Sequence, residues 1–218
     1  MNSRVLKAWT LLLAPYGIPH ARRLESYQHI IHPAYTEPHR AYHTDRHLEH
    51  CLDVVDDMIP YVDDVAAIVL ALFFHDIVYD TKAANGKNEE ESRIRMAAMA
   101  HRLGLPHALT VKAADAINAT FHDGRGLKEI VERYVVDVDL SILGTGTGDE
   151  YDREYAWKIR EEYSWVPDLE YKTGRIKVLQ GFLDRPSIYN TELFRERYEK
   201  RAREHLTREI GFLRREAS

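Results

Sequence analysis

Apolar positions recur along the chain with a helical period. Between 62 and 74 the set Val62, Val65, Ala66, Ile68, Val69, Leu70, Leu72, Phe73 and Phe74 is nearly continuous. That length suits a helix buried on most of its circumference, since a buried strand is shorter. An earlier apolar run over 8 to 13 ends at Ala14 and Pro15. It is too short for a membrane span and weak as a secretory h-region, so it predicts a core-packing helix. Further amphipathic runs fall near 20–32, 45–59, 89–104 and 107–121, punctuated by Pro60, the Asn85-Gly86 turn signal, and Gly104 with Pro106.

In the last third, Tyr151, Tyr155, Ile159, Tyr163 and Val166 recur at helical spacing, as do Phe194, Tyr198, Ala202, Leu206, Ile210 and Leu213. Each set predicts a helix with one core face. On the second helix Glu196 with Lys200, Glu199 with Arg203, and Glu204 with Arg208 place the acid four residues before the base, the favoured order for a solvated, ion-paired face. The stretch from Gly144 to Gly148 lacks the spacing, the following Lys and the preceding strand of a phosphate cradle, and reads as a loop joining two helices. No strand-rich block, repeat or linker divides the sequence. The expectation is one all-α domain over 1–218, of about eight to ten helices, with a functional core at about 40–145 and helices at about 150–213 packing on it.

Composition adds three constraints. At 218 residues, with 44% hydrophobic and 30% charged side chains, the chain has enough apolar matter for a sizeable core. Its one cysteine, Cys51, excludes an internal disulfide and a thiolate-rich zinc site, so a reducing cytoplasm is the expected location and no membrane association is expected. A formal charge of −5 gives no general attraction for nucleic acid, and a phosphate-bearing ligand must find local cations or a metal. The 12 histidines point to the second, imidazole being the commonest metal ligand.

Serine-elbow, zinc-protease helix and P-loop signatures are absent, and Cys51 lies in no nucleophile motif. The search narrows to carboxylates and histidines. His43, His47 and His50 are spaced four and three apart, so in a helix they would share a face. His75 and Asp76 follow the most apolar helix. Adjacent helical side chains diverge by about 100°, so these two converge on one ion only over the groove or near the helix end. Desolvating both is costly unless they are paired, hydrogen-bonded or metal-bound. Asp137 and Asp139 alternate with apolar residues, and only one of them need point inward.

A separated His, an adjacent His-Asp pair and a later Asp on an all-α chain together resemble the HD superfamily of metal-dependent phosphohydrolases, most closely its small bacterial members. The resemblance spans most of the chain. Its landmarks are Tyr42 with His43, His75 and Asp76 with Tyr79, Asn88 and Glu89 with Ser92, Thr120 with His122, Asp139 to Gly144, Ile159 with Arg160, Gly174 with Arg175, and Phe182 with Arg185. It implies His47, His75, Asp76 and Asp139 as metal ligands, Asp139 being preferred to Asp137 because the family's ligand is typically followed by Leu or Arg. The Tyr42, His43, His47 arrangement also resembles a segment of cyclic-nucleotide phosphodiesterases in which the first His donates a proton. Thr44 stands where that pattern has Asn, and the chain lacks phosphodiesterase length.

Two imidazoles and two carboxylates suit Mn, Fe, Co, Ni or Zn and leave positions open for water and substrate. The expected activity is hydrolysis of a small phosphoester, such as a nucleotide or related metabolite. Asp76 would ligate and orient the nucleophile, and His43 would protonate the leaving oxygen. Glu89 and His122 are candidates for a second ion or for hydrogen bonding to the ligands. Among Arg46, Lys82, Lys87, Arg125, Arg160 and Arg175, the choice for phosphate binding is Arg46 and Arg160. A di-iron oxygenase, which would need His101 and His122 to face the site, and a non-catalytic ligand-binding module are the alternatives. The helical surface could also support a homodimer.

Overall fold

The computed structural model describes residues 2–58, 62–122 and 126–216. Among them every regular element is helical, forming ten rods, in agreement with the helical period of the sequence. The chain divides into two compact units, Met1–Asp139 and Leu140–Ser218. No described helix is long and apolar enough to cross a membrane.

The first unit holds α1 (Ser3–Leu13), α2 (His20–Ser26, continued by a π turn over Tyr27–Ile31 and by His32–Ala34), α3 (Asp45–Met58), α4 (Val65–Phe74), α5 (Lys87–Leu103), α6 (His107–Ala119) and α7 (Ile130–Asp139). Its hub is α4, which contacts α1, α3, α5, α6 and α7. The sequence reason is direct, because Ala67, Ile68 and every residue from Leu70 to Phe74 are buried, leaving almost no polar face. This helix begins at Val65, later than the apolar run. Asp64 takes the N-cap position, its carbonyl accepting from the Ala67 and Ile68 amides, while its carboxylate takes Lys112 Nζ at 2.8 Å. Against the hub, the Trp9 indole meets Phe73 edge-on at 4.9 Å and donates from Nε1 to Ser26 Oγ at 3.0 Å. The burial is thereby completed without an orphaned polar atom on that ring.

The second unit opens with a 3-10 turn, Leu140–Gly144. Three rods follow: α8 (Gly148–Tyr151, a π turn over Asp152–Ala156, then Trp157–Glu162), α9 (Asp168–Leu183) and α10 (Glu192–Phe194, a π turn over Arg195–Glu199, then Lys200–Glu216). The loop before α8 ends in a capping box, Thr147 and Glu150 each accepting from the other's backbone N–H. Buried Leu179, Ala202, Leu206 and Ile210 join α9 to α10. Beside them Arg175 binds Glu209 at 2.7 Å, and the Tyr151 hydroxyl donates to the same carboxylate. At Gly144 a Cβ would lie 2.6 Å from both Cβ and the carbonyl oxygen of Tyr198, so the close approach of the turn to α10 requires glycine. On the charged face of α10, Arg203 pairs with Glu199 at 2.7 Å as the spacing predicts, whereas Arg208 reaches Asp152 at 2.7 Å.

Candidate metal centre

Three helices of the first unit deliver the candidate ligands. On α3 the buried stripe runs through His47, Cys51 and Val55, one turn apart, so His47 is carried inward by the same amphipathic face that packs the helix. His75 is the C-cap of α4, and Asp76 is the next residue. At a helix end the two adjacent side chains escape the divergence expected in mid-helix. Asp139 is the last residue of α7. Asp137 is also buried, but on this helix it is rotated about 200° from Asp139, so only one of the two reaches the other donors.

His47, His75, Asp76 and Asp139 each offer one atom to a group lying within 4.8 Å of one another. The His47 and His75 Nε2 atoms are 3.0 Å apart. Asp76 Oδ2 lies 2.9 Å from His75 Nε2 and 3.6 Å from His47 Nε2, and Asp139 Oδ1 lies 3.5 and 3.3 Å from the same two nitrogens. Neighbouring donors around an ion with bonds of about 2.1 Å are separated by about 3.0 Å in octahedral and about 3.4 Å in tetrahedral arrangement. The spacing and the mixed N/O donor set therefore fit a divalent transition metal. His75 Nδ1–H donates to the Leu72 carbonyl at 2.8 Å, which fixes the tautomer and turns Nε2 toward the other donors.

Burial pulls both imidazoles down, and His47, with His75 beside it, stays below its ordinary value. For His75 burial is outweighed by Asp76 and Asp139, which hold it well above the usual imidazole range. Burial likewise pushes the two carboxylates up, but His75 and His43 beside Asp76, and His122, His47 and His75 around Asp139, hold both well below the carboxylate range. The two carboxylates are held in their anionic form and favour the protonated form of His75. Positive charge is stabilised where the four donors meet. Cys51 Sγ approaches His47 at 3.8 Å, but burial and the two carboxylates push its thiol up, so it remains a neutral neighbour.

No protein-family model, curated protein or solved structure matches this chain.

The other candidates separate clearly. His43 lies in the turn before α3, so the three-histidine helical face does not form. Its Nε2 nevertheless points at the cluster, 4.0 Å from Asp76 Oδ2, with the ring stacked on Tyr79 at 4.0 Å. His50 is on α3 outside the four-residue group, and burial lowers it to about 4. His122 donates from Nε2 to Asp139 Oδ2 at 3.0 Å from a left-handed backbone conformation (φ 55°), which histidine tolerates better than most residues. Glu89, on the first turn of α5, is pushed up by burial and by the Asp76 charge, while His122 opposes the shift. His101 is exposed near the other end of that helix. Arg46 is exposed one residue before His47. Arg160 belongs to the second unit, where its guanidinium donates to the Tyr163 carbonyl at 2.7 Å and stacks over Tyr171. Arg175 is committed to Glu209, Lys87 to Glu90, and Lys82 is exposed. Arg125 lies outside the described residues.

Two further landmarks hold the loop that follows Asp76. Ser92 Oγ accepts the Val78 N–H at 3.1 Å, and the Asn88 amide pairs with both backbone groups of Asp80. Sequence reasoning missed Arg40 altogether. It sits in a stretch without helical period, and an arginine three residues before His43 was its only signal.

Proposed function

We propose that this protein is a metal-dependent phosphohydrolase that cleaves a small phosphoester. The observation that carries the reading is the convergence of two imidazole nitrogens and two carboxylate oxygens, from three helices, within 4.8 Å. Stability alone offers no reason to bury such a set. His47, His75, Asp76 and Asp139 would hold the ion, and what a divalent ion supplies there is Lewis acidity toward a phosphoryl oxygen and a water molecule.

The chain's own residues supply the remainder. Asp76, kept ionised by its histidine neighbours, accepts a hydrogen bond from the attacking water and orients it. His43, partly exposed and braced on Tyr79, holds a proton at Nε2 and delivers it to the leaving oxygen. Arg46, exposed beside His47, is the phosphate-facing cation, since Arg160 is held by its own carbonyl and aromatic partners. Glu89 and His122 flank the carboxylates, where they would hold solvent or a second ion. A nucleotide or a related phosphorylated metabolite is the substrate class. The exposure of His101 argues against a histidine-rich di-iron site.

Elemental analysis of untagged protein tests the reading. About one transition metal per chain, lost in His75→Ala, is expected, together with turnover of a phosphoester panel in that metal. Protein that takes up none of Mn, Fe, Co, Ni or Zn on anaerobic reconstitution would overturn it.

A further inference from the structure

The loop before α3 contains a buried cation that metal ligation does not use. The Arg40 side chain has no solvent exposure, although its partner Glu37 is 42% exposed. Glu37 Oε2 accepts from Arg40 Nε at 2.9 Å and from Nη2 at 2.7 Å. The other edge of the guanidinium is spent on backbone. Nη1 donates to the Asp76 carbonyl at 2.6 Å and to the His43 carbonyl at 3.2 Å, and Nη2 reaches the Ile77 carbonyl at 3.4 Å. Tyr35 and Tyr79 lie on the cation at 5.4 and 5.5 Å, which removes its freedom to swing away.

We propose that Arg40 is a positioning residue for the metal centre, tying the turn that carries His43 to the helix end that carries His75 and Asp76. The inference rests on the metal-centre reading above. A helix C-terminus leaves carbonyls without intrahelical partners and bears partial negative charge. Here side chains satisfy two of them, and Arg40 extends the pattern past the helix end. His75 takes the Leu72 carbonyl, the Tyr35 hydroxyl donates to Phe73 at 3.3 Å, and Arg40 serves the two carbonyls beyond. A second clamp lies alongside, where His39 Nε2 donates to the Tyr79 carbonyl at 2.8 Å.

Capping alone could be done by water or a small polar group without burying a charge. A planar fork is needed to hold two separate segments while a carboxylate grips its back edge, and an ammonium group presents no such fork. Fixing the Asp76 and His43 carbonyls fixes the backbone from which both side chains project. The donors are thus set in place before an ion arrives.

Cobalt(II) binding to the apoprotein, followed by its visible absorption, tests this in wild type, Arg40→Lys and Glu37→Gln, with helical content checked by circular dichroism. Arg40→Lys is expected to fold yet bind cobalt about 10- to 100-fold more weakly, the usual loss when a group supporting metal ligands is removed, with a changed absorption envelope. Glu37→Gln, altered at the exposed end of the pair, should shift both readouts in the same direction and carries the test if Arg40→Lys loses helix. Folded variants that match wild type in affinity and spectrum would overturn the positioning role alone. A wild type that takes up no cobalt would overturn the metal-centre reading and this inference with it.

Discussion

On the metal-centre reading proposed above, the charge state of His75 makes metal uptake a proton exchange. Because His75 Nδ1–H is committed to the Leu72 carbonyl, a proton at Nε2 converts this ring to a cation facing Asp76 and Asp139. The carboxylates raise His75 well above its ordinary 6.5, His47 is lowered, and both carboxylates are already ionised. Above about pH 6.5, and until His75 itself loses its proton, an incoming ion therefore displaces a single proton, and its affinity should rise about tenfold per pH unit. Each pH unit is worth about 1.4 kcal/mol of binding free energy. Competition with a chromophoric chelator gives the slope. Calorimetry in two buffers of different ionisation heat counts the released protons directly. Asp139→Asn removes one of the charges that raise His75, so its slope should flatten and its affinity fall together. A wild-type affinity independent of pH, or a release of about two protons, would refute the argument.

Three further outcomes follow from packing. Phe73→Ala opens a void beneath Trp9 in the hub of the first unit and should cost about 3–5 kcal/mol by urea unfolding. Glu209→Ala strands the buried Arg175 guanidinium and should destabilise by about 3–5 kcal/mol, most of it recovered when Arg175→Met and Glu209→Leu are combined. Gly144→Ala should cost about 1–3 kcal/mol through its clash with Tyr198, whereas Gly174→Ala, with open space around its Cβ inside α9, should gain about 0.5–1 kcal/mol. Thermal melts of the pair would show opposite shifts.

The helices were legible where one face alone determines burial. The runs near 45–59 and 107–121 correspond to α3 and α6 within a residue or two, because their apolar stripes have the helical period and end at turn residues. Periodicity cannot distinguish a π turn from α-helix, so the extra residues over Asp152–Ala156 and Arg195–Glu199 were invisible in spacings of three and four. At the cluster, the order of residue types suggested His47, His75, Asp76 and Asp139 only through the family resemblance it carries. The choice between Asp137 and Asp139 became geometric only once α7 was known to be helical. Arg40 was illegible for a plainer reason. Its partners are backbone carbonyls, and a carbonyl leaves no mark on residue identity.

The donors also lie far apart in the chain, with His47, then His75 and Asp76, and finally Asp139 at the very end of the first unit. During synthesis the ribosome releases the imidazoles long before the last carboxylate, and an ion encountered by the nascent chain meets an incomplete set of ligands. Metal capture should therefore be a late kinetic event, following closure of the long-range contacts that dock α7 on α4. On the proposed metal-centre reading, the onset of tight metal binding in refolding experiments would mark completion of the first unit's fold.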